Sequence, residues 1–193
     1  MDKRYLSATL VLLMLGVGCR ASHEEQDAYI NSRFSAIQIT LPAGVSPRSK
    51  RGRSFLYWNK AAEELRICGD VQTLMDHKVS FQRTGNEVID SLRALPTEGV
   101  DEEAVNGVMI AVNGMVEDNQ STISSAAETA GAAAGSQSYG IGEGIAGSVK
   151  AITKGQEIRV KTASQVAKSR ALLEAKYGAG FQPLTVGCLS GLE

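Results

Sequence analysis

Apolar side chains recur at helical spacing through much of the chain. Between residues 54 and 95 they keep an interval close to 3.5, which is typical of a helix that buries one face. These positions are Leu65, Cys68, Met75, Val79 and Ile89. After acidic residues 101–103, which suit a helix N-terminus, the apolar interval alternates between three and four. The second set is Val105, Val108, Val112 and Met115. Together the two stretches predict an antiparallel hairpin that turns near residues 95–99.

Two further helices are predicted on either side of this hairpin. Ser22 and Glu25 have the spacing of a capping box, and the apolar residues that follow predict an amphipathic helix ending before Pro42. These residues are Ile30, Phe34, Ile37 and Leu41. A third long helix is expected at about 148–177, ending at Gly178, with its buried positions at Ile152, Ala163, Val166, Leu173 and Tyr177. The predicted fold is mainly α, an elongated antiparallel helical hairpin or bundle with a C-terminal tail that packs back from Phe181.

The stretch from Ala126 to Ser148 consists mostly of glycine, alanine and serine. Its glycines form two small-residue pairs, Gly131 with Gly135 and Gly140 with Gly144, each of which would lie on one face of a helix and permit close packing. Interior glycines also weaken an isolated helix by ~1 kcal/mol each relative to alanine. Three structures are therefore open: a flexible or loosely helical tip, a tightly packed helix pair, or a segment that enters a bilayer.

The N-terminal region has the layout of an export signal. Lys3 and Arg4 precede an apolar run from Leu6 to Val17, which ends in small residues. As a helix this run would be only ~18 Å long, whereas the hydrocarbon core of a bilayer is ~30 Å thick. A cleaved leader of residues 1–18 is predicted, with a retained hydrophobic segment as the alternative.

The residues around Cys19 resemble the lipobox of bacterial lipoproteins. In Leu15-Gly16-Val17-Gly18-Cys19 the cysteine follows small residues, although Gly16 stands where the family usually has leucine. The resemblance implies that Cys19 carries the lipid and becomes the new N-terminus, while ordinary signal cleavage near Gly18 or Ala21 is the alternative. Because Arg20 is not the aspartate that favours inner-membrane retention, the outer membrane is expected. Residues 19–53 would then form the anchor, a short helix and a basic linker, and residues 54–193 the helical domain.

Cys68 and Cys188 are the cysteines left after lipidation of Cys19. Export places them where disulfides persist, so a Cys68–Cys188 bridge is predicted. A bridge over so long a loop would stabilise the fold by roughly 4 to 5 kcal/mol in the chain-entropy model. The alternative is a pair of buried thiols.

The net charge and the types of reactive residue narrow the range of possible functions. The formal net charge is −1, which provides no overall basic field for nucleic acid. Four basic residues between Arg48 and Arg53 suggest a solvated linker or a contact with anionic phospholipid. His23 and His77 lie far apart in the sequence and form no metal-binding motif. Residues Gly142 to Gly147 match the glycine pattern of a dinucleotide-binding loop, but the strand that precedes such a loop is not predicted here. No cofactor, metal or catalytic residue is expected.

These features predict a non-enzymatic lipoprotein of the bacterial envelope that works by contact with other envelope proteins or with further copies of itself. The helical hairpin, small-residue tip and late cysteine resemble, in architecture only, helical minor components of type IV secretion and conjugation systems. The resemblance implies a place in such an assembly. Two other functions are open: a membrane-perturbing toxin or lysis protein that uses residues 126–148, and a periplasmic hydrolase.

Overall fold

The described part of the chain is helical and contains no strand. A computed structural model describes residues 23–74, 78–135 and 141–185. In this part lie α1 (His23–Ser35), α2 (Lys50–Leu74), α3 (Lys78–Arg93), α4 (Glu102–Gly135) and α5 (Ile141–Tyr177). The predicted mainly α fold is confirmed.

The predicted helix over residues 54–95 is wrong, because α2 and α3 are separate helices that pack side by side. The Glu64 carboxylate lies close enough to the Ser91 side chain for that side chain to lower its pKa, although a continuous helix would hold these residues about 40 Å apart. The chain therefore reverses direction between α2 and α3, and residues 75–77 lie outside the described ranges. No proline or glycine lies at residues 75–77, so the sequence carries no marker of the reversal.

The longest hairpin is formed by α4 and α5. Their contacts run in opposite directions along the two helices: Gly107 faces Ser169, Gly114 faces Thr162, and Asp118 pairs with Arg159. The predicted turn at residues 95–99 is present, but it connects α3 to α4. Both long helices also continue into the Gly/Ala-rich segment, so α5 begins at Ile141, several residues before the predicted start near 148.

Glycines allow α4 and α5 to approach closely. A Cβ atom at Gly114 would lie 2.5 Å from Thr162 Cγ2, and one at Gly107 would lie 2.9 Å from Ser169 Cβ. A Cβ at Gly155 would lie 2.9 Å from Asp118 Oδ1. Close helix packing is therefore present at Gly107, Gly114 and Gly155, whereas the packing of residues 131–144 stays a prediction.

The main core lies where α2, α4 and the segment after α5 meet. Trp58 is 0% exposed and contacts Phe181 edge to face, with ring centroids 6.2 Å apart. Phe55 meets the same phenylalanine at 5.7 Å. The helices add further buried apolar side chains, among them Leu65, Val88, Leu92, Val108, Val112, Met115, Val166 and Leu173. Most of the predicted seam positions that the structure describes are buried; Ala163 is an exception and is exposed on α5.

Helix α1 is shorter than predicted and ends at Ser35. The following Ile37-Gln-Ile39-Thr-Leu41 alternates apolar and polar residues, which is the pattern of extended chain. Ile39 and Leu41 pack against the main core in this conformation. The helix itself runs antiparallel to α2, because Ile30 packs with Ile67 and Val71, while residues 36–38 lie beside residues 63–67.

Residues 178–185, which we call the strap, pack back on α2. The Trp58 Nε1–H donates to the Gln182 carbonyl at 2.7 Å, and the Asn59 side chain donates to the Gly180 carbonyl at 3.1 Å. The Gln182 N–H in turn donates to Asn59 Oδ1 at 2.8 Å. The prediction that the tail folds back is confirmed for residues 181–185, and residues 186–193 lie outside the described part.

We expect Gly114→Ala to destabilise the protein by about 1–3 kcal/mol, because the added methyl group overlaps Thr162 in a packed interface. Urea unfolding followed by the helical circular dichroism signal measures this change.

Gly69→Ala is the matched control. Gly69 also lies within a helix, α2, but nothing lies within 4 Å of a Cβ placed there. Alanine should therefore stabilise α2 by about 0.5–1 kcal/mol. Equal effects of the two substitutions would contradict the close packing of α4 and α5.

Candidate functional site

The residues singled out in the sequence fall in different parts of the molecule. Cys68 is completely buried on α2 and is disulfide-bonded. Gly131 and Gly135 lie one helical turn apart at the end of α4, and Gly144 lies in the first turn of α5. Cys19, Cys188 and Gly140 are outside the described residues. The structure therefore does not test whether the two small-residue pairs meet.

The strap makes Cys188 a reachable partner for Cys68. Gln182 is bound to Asn59, and Asn59 lies about 13 Å along α2 from Cys68. An extended chain from Gln182 to Cys188 spans up to about 20 Å. The predicted pairing of Cys68 with Cys188 is thus compatible with the position of the strap.

The end of the bundle nearest the strap is held together by Asp101. Its Oδ1 accepts the Glu103 N–H at 3.1 Å, so Asp101 caps α4. Its Oδ2 accepts from Lys176 Nζ at 2.6 Å and from the Tyr177 hydroxyl at 2.7 Å, both at the end of α5. The side chain is 6% exposed, and Lys50 Nζ lies 3.6 Å away. One carboxylate therefore joins the starts of α2 and α4 to the end of α5.

The same contacts shift the pKa of Asp101. Burial alone would raise it, but hydrogen bonds from Lys176, Tyr177 and the Glu103 N–H outweigh burial and hold the pKa well below its usual range. Burial raises the pKa of Tyr177, and the hydrogen bond to Asp101 raises it further. The cluster consequently stays ionised as an ion pair at neutral pH and serves to connect helices.

Glu64 is a buried carboxylate between α2 and α3. Its side chain is 4% exposed, and Lys60 Nζ lies 3.9 Å from Oε1. Burial raises the pKa of Glu64, while the hydrogen bond from Ser91 and the charge of Lys60 lower it by less. Oε2 has no hydrogen-bond partner among the described residues. Glu64 is buried in the helix interface and does not line the cleft between α1 and α2.

A shallow cleft of about 270 Å³ separates the end of α1 from α2. It is lined by Arg33, Glu63 and Arg66, among others. Arg66 is already paired with Glu63 at 2.7 Å and with Asp70 at 2.7 Å. Two carboxylates thus neutralise Arg66, while Arg33 adds a second positive charge to the lining of the cleft.

The outer side of α5 carries an exposed stripe of small residues. Val160 is 71% exposed, and residues at intervals of four, three, four and four continue the same face. We call this set the α5 stripe: Val160, Ser164, Ala167, Ala171 and Ala175. Leu172 lies beside it and is 58% exposed. Small side chains let another helix approach closely, so the stripe is a candidate contact surface. The sequence carries the same spacing, but its apolar pattern predicted only the buried side of this helix.

No group of histidine, cysteine, aspartate and glutamate in the described residues is arranged to hold a metal ion. None of the helices within 23–74, 78–135 and 141–185 is long and apolar enough to cross a membrane. No family model matches the chain, and no curated protein or solved structure matches it.

We expect Asp101→Asn to lower the free energy of unfolding by about 2 kcal/mol at neutral pH, because it removes hydrogen bonds to a charged acceptor. The folded-state pKa lies below the unfolded value of about 3.9. The stabilisation is therefore present above that value and is lost as the pH falls through the folded-state pKa. Urea titrations at several pH values should show the difference from wild type shrinking in acid.

Glu102→Gln is the control for this substitution. Glu102 is exposed in the first turn of α4, directly after Asp101. Its effect should be within about 0.5 kcal/mol. A pH-independent difference between Asp101→Asn and wild type would contradict the role of the carboxylate.

We expect trypsin digestion without reductant to yield one linked pair of peptides, residues 67–78 joined to residues 177–193, because the strap brings Cys188 within reach of Cys68. Mass spectrometry identifies the pair, and the Cys188→Ser variant should release residues 67–78 with a free thiol. A link from residues 67–78 to a peptide containing Cys19 would exclude the proposed pairing.

Proposed function

We propose that this chain is a non-enzymatic lipoprotein of the bacterial cell envelope. It is anchored to a membrane, preferentially the outer membrane, through a lipid on Cys19, and it acts by binding other envelope proteins or further copies of itself. A secretion or conjugation assembly is the proposed setting. The export signal and lipobox-like residues support the anchor, and the disulfide at Cys68 agrees with an oxidising compartment.

The observation that carries the proposal is the exposed face of α5. Charged residues such as Lys161 and Lys168 are exposed on α5. Beside them Val160 and Leu172 are exposed, and three alanines lie on the same face as Val160. Burying such a stripe against another helix needs little side-chain ordering, because alanine has no rotamers to lose. Contact with a partner helix is therefore favourable along the hairpin.

The polar clusters support a structural role for the charged residues. Asp101 joins three helix ends, and Asp118 binds Arg159 between α4 and α5 at 3.0 Å. Arg53 donates to the Glu98 carbonyl at 3.0 Å, and Arg170 donates to the Phe181 carbonyl. Each of these groups connects parts of the fold, which is what a scaffold for protein contacts requires.

A photocrosslinking amino acid at Ala167 tests the proposed contact in cells. We expect it to capture one defined envelope protein or a second copy of this chain, because Ala167 lies in the middle of the α5 stripe. Ala94 is the matched control, since it is also an exposed alanine but lies at the end of α3. Equal capture from both positions, or recovery only of uncrosslinked monomer, would contradict the proposal.

The anchor is checked in the same cells by comparing Cys19→Ser with Cys188→Ser. We expect only Cys19→Ser to leave the membrane fraction and to lose the mass of the attached lipid. A wild-type product that is soluble and retains Met1 would overturn the proposed location.

A further inference from the structure

We infer that the far end of the α4–α5 hairpin touches the headgroup layer of the membrane that anchors Cys19. This end, which we call the hairpin end, comprises residues 126–135 of α4 and 141–148 of α5. The inference rests on the proposed lipid anchor and adds a specific phospholipid contact. It follows from the directions and lengths of the helices.

Helices α2 and α4 run in the same direction. The Ser54 hydroxyl accepts the Asp101 N–H at 2.8 Å, and farther along the same two helices Trp58 lies against Gly107. From the level of Ser54, α2 extends about 30 Å to Leu74. From the same level, the chain from Asp101 to Gly135 extends about 51 Å. The hairpin therefore projects about 20 Å beyond the end of α2.

The N-terminus of α1 leaves the bundle at this same end. Ile30 lies between Ile67 and Val71, and Asp27 pairs with Arg83 near the start of α3. Because α1 is antiparallel to α2, His23 lies about 10 Å beyond Ile30 in the direction of the hairpin end. This places His23 roughly 3 Å past the level of Leu74.

Chain length then limits how far Cys19 can be from the hairpin end. The segment from Cys19 to His23 spans at most about 14 Å when fully extended. Measured along the helix axis from the level of Leu74, Cys19 therefore lies at most about 17 Å toward the hairpin end. The hairpin itself extends about 20 Å in the same direction. A lipid on Cys19 must lie with its glycerol at the headgroups. When the helix axes stand upright on the bilayer, as this proposal requires, the hairpin end is then held at the membrane surface.

The composition of the hairpin end fits shallow contact with a lipid surface. Between Asp118 and Lys150 the sequence carries only two charged residues, Glu128 and Glu143. Glu143 lies in the first turn of α5, and a carboxylate is costly to bury in hydrocarbon. The cost of burying this carboxylate places the contact at the headgroups and the upper acyl chains.

Tryptophan fluorescence in vesicles tests the contact. The acylated Ala133→Trp variant is placed in phosphatidylcholine vesicles whose acyl chains are brominated near the headgroup. We expect its added emission to be shifted to the blue and quenched, because the new indole sits at the bilayer surface. Trp58 contributes the same background emission in every variant, since its indole is fully buried in the core.

Ala179→Trp is the matched control at the opposite end of the molecule. Ala179 is exposed in the strap, and its tryptophan should keep its emission in the same vesicles. Unquenched emission from Ala133→Trp would overturn the inference. Equal quenching at both positions would also overturn it, because the protein would then lie flat on the surface. Matching circular dichroism spectra confirm that both variants are folded.

Flotation of the vesicles separates this inference from the proposed function. Protein that floats without quenching at position 133 retains the anchor and loses the contact. Protein that does not float at all refutes native lipidation. In that case the mature chain is coupled to a maleimide lipid through Cys19, and quenching at position 133 still decides whether the geometry brings the hairpin end to the bilayer.

Discussion

The buried indole of Trp58 is the contact on which the packing of the other elements depends. Its ring lies against Gly107 of α4 and meets Phe181 of the strap, while its N–H donates to the Gln182 carbonyl. A larger residue at position 107 would push α4 away from this ring. One side chain thus fixes the distance between two helices and the path of the chain after α5. The chain is poor in aromatic residues, and it concentrates Trp58, Phe55 and Phe181 at this point.

Close backbone approach replaces large side chains elsewhere in the hairpin. Gly107, Gly114 and Gly155 allow α4 and α5 to approach closely. The Asp118–Arg159 pair stabilises the hairpin along its length, and the contacts of Asp101 stabilise its base. Small residues also line the outer face of α5. The same type of surface that joins the two helices internally is therefore presented outward, where a further helix can pack against it.

The sequence predicted the helices well where local signals were strong. Acidic residues marked the start of α4, and Gly178 followed the last residue of α5. The break between α2 and α3 had no local signal, because the apolar interval continues across it. The predicted end of α1 was wrong. Ile37, Ile39 and Leu41 alternate with polar residues, as in extended chain, but Ile37 and Leu41 also fit a helical spacing of four.

The contact surfaces were harder to predict than the helices. Which glycines pack closely depends on the register between α4 and α5, and a sequence rich in glycine offers several choices. Asp101 looked like one of three acidic residues at a helix start, and its contacts with Lys176 and Tyr177 require the tertiary fold. The α5 stripe could have been found from its spacing, but spacing alone does not show which side of a helix faces solvent.

The distance in sequence between Trp58 and the strap has a consequence for the export that we propose. The bond from Trp58 to Gln182 joins residues 124 positions apart. The aromatic core can therefore close only after α2, α4, α5 and the strap are all in the same compartment. In the export that we propose, a chain still threading through a translocation channel lacks this closure, so it stays unfolded enough to pass and becomes compact on the far side.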